Sequence, residues 1–129
     1  MRSLLLPPQG REAMLNQARL CWPEEACGLL AGAPGRVEFV YPLTNVAPSP
    51  TTFTIAPEEH FRAWKHAEAH GWELIGAFHS HPHGPPHPSP TDQRLAAEPD
   101  WIHIIVTGGR LHAYTVYATG YQRVEIIEP

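Results

Sequence analysis

The residues of greatest chemical interest are two histidines that stand two positions apart, His79 and His81, with an aspartate, Asp92, further along the chain. Residues 73–78 precede them and are apolar enough to predict a buried strand that ends at the histidines. On a strand, residues i and i+2 share one face about 6.6 Å apart, so both imidazoles can reach a single ion. The alternative is a pair of polar residues at the exposed end of a strand.

Asp92 is the best candidate for a third ligand. Catalytic zinc sites use three protein ligands from His, Asp, Glu or Cys and keep one position open for water. The stretch Ser89-Pro90-Thr91-Asp92 opens a predicted helix directly after a loop rich in proline, which limits the freedom of the chain. This stretch also has the pattern of a helix capping box with proline in the first turn. Capping and ligation are compatible, because the cap determines where the helix begins and hence where Asp92 points.

Hydrolysis at a metal ion also needs a group that moves protons and does not bind the ion. Glu25, in the stretch Pro23-Glu24-Glu25-Ala26-Cys27-Gly28, stands at the entrance to an apolar run that predicts a buried strand. An acidic residue at such a place is either solvated or functional, and the sequence around it leaves both interpretations open.

The other residues with reactive or ligating side chains favour structural roles. His83 and His87 lie in the proline-rich loop and are alternative ligands, but we expect them to be exposed, with contact to a substrate left open. Cys27 belongs to an apolar run, where a free cysteine usually packs as a small hydrophobe rather than acting as a nucleophile. His66 and His70 have a spacing that can bind metal, but without an H-E-x-x-H pattern we expect a solvated helix face.

Length and composition restrict the class of protein. The chain has 129 residues, which predicts a single domain, 1–129, with a core of its own. Its 43% hydrophobic and 17% charged residues are typical of soluble globular proteins, and its net charge of −4 argues against a nucleic-acid partner. No apolar run approaches the roughly 20 residues of a membrane helix. We therefore expect a cytoplasmic protein without a membrane partner, in which Cys21 and Cys27 are free thiols.

The pattern of apolar residues and turns predicts an α/β fold in which helices alternate with strands and a final antiparallel meander completes a mixed sheet. The predicted helices are 11–20, 56–70 and 89–98, and the predicted strands are 4–6 (at an edge), 27–32, 37–41, 53–55, 72–81, 101–107, 110–117 and 121–127. In the second helix we expect Phe61 and Trp64 to face inward. In the meander His103 and His112 can pair across the Gly108-Gly109 turn, and we expect them to be packing or surface residues.

Taken together, the candidate residues resemble the motif of the JAMM (MPN-plus) zinc metalloproteases at every position. The matching elements are Glu25, a long gap, His79-Ser80-His81, seven residues that begin with Pro82, Ser89, two residues and Asp92. Residues 23–32 are also similar to the first block of this family, in which a glutamate stands two positions before Cys-Gly. That similarity favours Glu25 over Glu24, and the resemblance covers nearly the whole chain.

The resemblance implies a fold, a metal and a set of roles. The implied fold is a mixed sheet packed between helices, similar to that of the cytidine deaminases. One zinc ion per chain would be held by His79, His81 and Asp92 with water as the fourth ligand. Glu25 would act as general base and then as general acid, and Ser89 would hydrogen-bond the oxyanion. The family's substrates are peptide or isopeptide bonds after the C-terminal Gly-Gly of ubiquitin-like proteins.

The chain departs from the members that cut polyubiquitin, because it has little room for their two insertions. It resembles the compact stand-alone bacterial members, also in the loop Leu43-Thr44-Asn45-Val46-Ala47. This likeness implies a ubiquitin-like sulfur-carrier protein as substrate, including release of an attached amino acid such as cysteine. The alternative is an MPN-type scaffold that binds such proteins without hydrolysis. A nucleobase deaminase would need a P-C-x-x-C pair, which is absent. The oligomeric state stays open.

Overall fold

The structure, a computed structural model, describes residues 2–96, 98 and 100–129. This described part contains seven strands and three helices. In chain order they are β1 (Ser3–Leu5), α1 (Pro8–Cys21), β2 (Cys27–Ala33), β3 (Arg36–Leu43), α2 (Pro57–Ala69), β4 (Glu73–Ser80), α3 (Pro90–Leu95), β5 (Ile102–Thr107), β6 (Arg110–Tyr117) and β7 (Gly120–Ile127). None of the described helices is long and apolar enough to cross a membrane.

The strands form one mixed sheet that closes on itself in the order β1-β3-β2-β4-β5-β6-β7. The strand predicted at residues 4–6 is present with a shift of one residue, but the prediction that it lies at an edge was wrong. The strand β1 runs parallel to β7 over three residues and meets β3 at Leu5 opposite Arg36. Leu4 and Leu6 are fully buried, so this short apolar strand joins the two ends of the sheet.

Helices cover both faces of the sheet, which confirms the expected α/β architecture. Neighbouring residues of a strand point to opposite faces. Leu30 packs with Phe78 and with Met14 of α1, whereas Leu29 packs with Ala63 of α2. The strand β4 therefore lies between two apolar layers, and the two histidines stand at its C-terminal end.

The inward orientation expected for Phe61 and Trp64 was wrong. Their side chains are 59% and 45% exposed, and the buried face of α2 is formed by Ala63 and Ala67. Small side chains let the helix axis approach the sheet closely, and the two aromatic rings remain on the outer face, 5.9 Å apart. The small size of the alanines, rather than the hydrophobicity of the aromatic rings, thus determines which face of α2 is buried.

Three further expectations need correction. His103 pairs with Tyr114, and His112 pairs with Ile105, because Thr107 opposite Arg110 sets the register of the hairpin. Residues 53–55 form only an isolated bridge between Ile55 and Asn45 instead of a strand. The third helix ends at Leu95, earlier than expected, and part of its predicted C-terminal extension, Ala97, lies outside the described residues.

Candidate metal centre

The backbone of the two histidines is fixed by strands on both sides. His79 pairs with Cys27 of β2 and with Ile105 of β5. One residue past the end of β4, the His81 N–H still donates to the Val106 carbonyl at 3.0 Å. Both imidazoles are buried, with 3% and 5% of each residue exposed. The sheet thus holds His79 and His81 on the same face at the end of a strand, as predicted.

Three ligand atoms form a nearly equilateral triangle at this strand end. The Nε2 atoms of His79 and His81 are 3.1 Å apart, and they lie 3.2 and 3.1 Å from Oδ2 of Asp92. A tetrahedral zinc ion with bonds of 2.0–2.1 Å separates its ligand atoms by about 3.3 Å. Two imidazole nitrogens and one carboxylate oxygen suit a first-row transition metal. The donor set and its spacing therefore fit the expected ion.

Neighbouring groups orient each imidazole ring. His81 Nδ1 lies 2.8 Å from the Pro85 carbonyl, to which its N–H donates, and this leaves the lone pair of Nε2 facing the other two ligand atoms. The ring of His79 stacks on Phe53, with centroids 4.8 Å apart. Neither supporting contact was predicted from the sequence. Phe53 lies in a polar segment well before the histidines in the chain, and the Pro85 carbonyl is a backbone group that every residue type has.

Asp92 stands in the first turn of α3 and completes the expected capping box. Its N–H donates to Ser89 Oγ at 3.0 Å, and its Oδ2 accepts the Ser89 N–H at 2.8 Å. Burial alone would raise the pKa of Asp92, but contacts with the two histidines and the Ser89 N–H hold it well below its ordinary value. Conversely, burial lowers the pKa of His81, and the contacts with Asp92 and the Pro85 carbonyl outweigh this and raise it. The lowered pKa keeps the Asp92 carboxylate ionised, and the raised pKa of His81 means that its surroundings favour a positive charge. The triangle is therefore a place that favours a cation.

Glu25 lies beside this triangle and is buried. Of the two interpretations that the sequence left open, a solvated residue or a functional one, the first is therefore wrong. It is 2% exposed, and its Oε1 has no hydrogen-bond partner among the described residues. Burial, countered by the nearby His81 and aided by Asp92, raises the pKa of the Glu25 carboxyl to about 8. Glu25 opens into a cavity of about 210 Å³, lined also by Pro50, Thr51, His81, His83, Gly84, Pro85 and Ser89.

The remaining candidates stand apart from the ligand atoms. His83 and His87 are exposed, as expected, and contact Trp22 and Tyr121 respectively. Cys27 is fully buried in the core, and burial raises the pKa of its thiol to about 12, which confirms its role as a small hydrophobe.

His66 of α2 and His70, which follows the helix directly, are exposed, as expected, although their rings also contact neighbouring groups. Their ring centroids are 4.2 Å apart, and His66 Nδ1 lies 2.7 Å from the Tyr41 hydroxyl. The pair thus packs against the outer face of the sheet and has no part in the triangle.

Known relatives match this chain closely. The CysO-cysteine peptidase of Mycobacterium tuberculosis is 38% identical over 97 residues, which cover 74% of this chain and 66% of the relative, so the chain spans just under two thirds of that relative's length. The desampylase of Haloferax volcanii is 34% identical over 119 residues, covering 86% of each protein. A protein of Desulfitobacterium hafniense with a solution structure is 36% identical and superposes with a TM-score of 0.87, covering 98% of this chain and 92% of that one.

The family model described as prokaryotic homologs of the JAB domain matches residues 7–121. This match extends from α1 to the start of β7 and includes Glu25, the histidine pair and Asp92. The resemblance drawn from the motif is thereby confirmed at the level of the family. This chain belongs to the prokaryotic homologues of the JAB domain.

Proposed function

We propose that this protein is a zinc-dependent peptidase that hydrolyses the peptide or isopeptide bond after the C-terminal Gly-Gly of a ubiquitin-like sulfur-carrier protein. The observation that carries the proposal is the triangle formed by His79, His81 and Asp92, with the buried Glu25 at its side. The substrate class is supported by the names of the two curated relatives, a CysO-cysteine peptidase and a desampylase.

His79, His81 and Asp92 would hold one zinc ion per chain. When bound, zinc polarises the scissile carbonyl as a Lewis acid and lowers the pKa of a coordinated water. The three residues are held by the sheet, by the Pro85 carbonyl and by the helix cap, so the ligand atoms are in place before an ion arrives.

Glu25 would accept a proton from the attacking water and deliver it to the leaving amine. A general base works best when its pKa lies near the working pH, and in the metal-free protein burial raises the pKa of Glu25 to about 8, above the ordinary range of a carboxyl. Its unpartnered Oε1 is free to accept that proton. Because the proton goes to the leaving amine, the leaving group must occupy the cavity that Glu25 lines.

Ser89 would donate a hydrogen bond to the oxyanion that forms at the scissile carbonyl. Its Oγ accepts the Asp92 N–H, which leaves the hydroxyl hydrogen available for another acceptor. Ser89 lines the same cavity as Glu25, so both groups can reach one substrate. Such a donor is effective because the cap fixes it before the reaction begins.

The test uses two fusions of a candidate sulfur carrier ending in Gly-Gly, one to cysteine through a peptide bond and one to a lysine ε-amine. Intact mass reports cleavage by the wild-type protein with zinc, with a chelator, and by Glu25→Gln. We expect cleavage directly after Gly-Gly that stops with chelator. We expect Glu25→Gln to keep its zinc and to lose roughly 10²–10⁴-fold in rate.

Two outcomes would reject the proposal. The first is a chain that takes up no zinc. The second is a chain that binds zinc and the carrier with no cleavage of either fusion, which would support the alternative of a binding scaffold. Normal cleavage by Glu25→Gln would overturn the assignment of the base while leaving the peptidase itself intact.

A further inference from the structure

The segment between β3 and α2, residues 44–56, folds back on itself and forms one wall of the Glu25 cavity. Ala56 donates its N–H to the Thr44 carbonyl at 3.4 Å, and Val46 donates its N–H to the Thr54 carbonyl at 2.9 Å. At its tip, Pro50 and Thr51 line the cavity. A substrate in this cavity therefore touches the tip of the segment.

Asn45, at the base of this segment, uses its full hydrogen-bonding capacity. Its Nδ2 donates to the Glu25 carbonyl at 3.1 Å and to the Thr52 carbonyl at 3.2 Å. Its Oδ1 accepts the N–H groups of Ala47 at 3.1 Å and of Thr54 at 2.9 Å. A side-chain amide offers two donors and two acceptor sites, and all four are occupied here.

Glu25 depends on these bonds because it stands outside the strand ladder. The strand β2 begins only at Cys27. The Glu25 N–H donates to the Ser49 carbonyl at 2.8 Å, and its carbonyl accepts from Asn45. Both backbone polar groups of Glu25 are thus held by segment 44–56. Beyond Glu25, the Ala26 N–H donates to Ser80 Oγ at 2.8 Å and joins the chain to the histidine strand.

We infer that Asn45 is a positioning residue, whose side-chain amide places the carboxylate of Glu25 and joins it to the segment that a substrate touches. The inference rests on the proposed function for the role of Glu25. A displacement of about 1 Å in a catalytic group can cost about 10²-fold in rate. Loss of the Nδ2 donor therefore lowers kcat. The backbones of His79, His81 and Asp92 are held by the neighbouring strands and by the helix cap rather than by Asn45, so these candidate ligands stay in place.

The variant Asn45→Asp separates positioning from general stability. It keeps an oxygen that accepts from Ala47 and Thr54, which preserves these two bonds of the segment, and it removes the donor to the carbonyls of Glu25 and Thr52. Thr52→Val is the matched control, because Asn45 contacts only the backbone carbonyl of Thr52. Both variants are assayed well below their melting temperatures, with zinc content by elemental analysis and with amide hydrogen exchange of the peptide that contains Glu25.

For Asn45→Asp we expect kcat to fall roughly 10–100-fold, with KM within about twofold of wild type and zinc content unchanged. We also expect faster exchange of the Glu25 amide, and Thr52→Val should match wild type in every measurement. A wild-type kcat in Asn45→Asp, or unchanged exchange at Glu25, would overturn the inference. If wild type cleaves no Gly-Gly fusion, the proposed function fails separately, and hydrogen exchange still decides whether Asn45 holds Glu25.

Discussion

Ser89 and Asp92 hold each other in a reciprocal pair of hydrogen bonds, and one of the oxygens involved faces the histidines. Asp92 Oδ2 accepts the Ser89 N–H at 2.8 Å and lies 3.1 Å from Nε2 of His81. The helix that follows has only six residues, and so short a helix has little stability of its own. The cap therefore determines both where α3 begins and where the third ligand atom lies.

Replacing Ser89 with alanine tests this double role. Ser89→Ala removes the acceptor of the Asp92 N–H, and we expect a loss of about 0.5–2 kcal/mol in the free energy of unfolding. Asp92 then keeps the bond from the backbone N–H of residue 89 but loses the bond from its own N–H to the hydroxyl. We expect zinc affinity to fall about tenfold, and kcat to fall roughly 10²-fold through loss of the hydroxyl. Urea unfolding, competition with a chelator and the cleavage assay measure the three effects. Ser89→Thr, which keeps the hydroxyl, serves as the control, and unchanged zinc affinity in Ser89→Ala would contradict the role of the cap.

Asp92→Asn separates the charge of the ligand from the cap. The asparagine keeps an oxygen that can accept the Ser89 N–H, so α3 still begins at Pro90, but the anionic ligand is lost. We expect zinc affinity to fall by more than about 100-fold, since supporting contacts alone are worth 10–100-fold at such sites. Elemental analysis after gel filtration gives the zinc content, with Gln93→Ala as a neighbouring control on the same helix. One equivalent of tightly held zinc in Asp92→Asn would show that Asp92 is not a ligand.

The features that the sequence predicted correctly depend on neighbours within a few residues. The strand end at His79, the cap from Ser89 to Asp92 and the glycine turn before β6 all follow from local spacing. The features that it missed depend on residues far apart in the chain. The strand β1 joins the ends of the sheet because it pairs with β7, from Ser3 opposite Glu125 onward, and meets β3 at Arg36.

The same distinction applies within the candidate site. The ligand triangle was predicted, because all three of its residues come from one stretch of the chain. Two supporting groups of the site were not predicted: Phe53, which stacks on His79, and Asn45, which binds the backbone of Glu25. Both reach the site only once the chain between β3 and α2 has packed on the sheet. Sequence spacing therefore predicted which three side chains come together, but not the groups that hold them in place.

The buried carboxyl of Glu25 makes the stability of the metal-free protein depend on pH. Its pKa is raised from 4.5 to about 8, so between these values the folded protein holds a proton that the unfolded chain releases. Stability therefore falls as pH rises through this window. Glu25→Gln cannot ionise, and we expect it to be more stable than wild type by on the order of 3 kcal/mol at about pH 8 and equally stable near pH 4.5.

Urea unfolding in the presence of a chelator measures this difference across the same pH range. Glu24→Gln is the control, because the neighbouring carboxylate is more exposed than Glu25 and lies outside the cavity lining. Parallel pH profiles for Glu25→Gln and wild type would show that Glu25 ionises normally in the folded protein, and its assignment as a base poised near neutral pH would lose its support.

Gly28 of β2 leaves room for the ring of Phe78 on the neighbouring strand. A Cβ at this position would lie 2.2 Å from Phe78 Cε1 and 2.2 Å from the Tyr41 carbonyl oxygen. The ring belongs to the fully buried core and the carbonyl to the backbone of β3, so neither can move without separating strands.

We expect Gly28→Ala to reduce the free energy of unfolding by about 2–3 kcal/mol. Because Cys27, the preceding residue, pairs with His79, we also expect weaker zinc binding. Urea unfolding and chelator competition test both effects, with Ala33→Ser at the exposed end of β2 as control, and wild-type values for Gly28→Ala would show that β2 and β4 are not packed this closely.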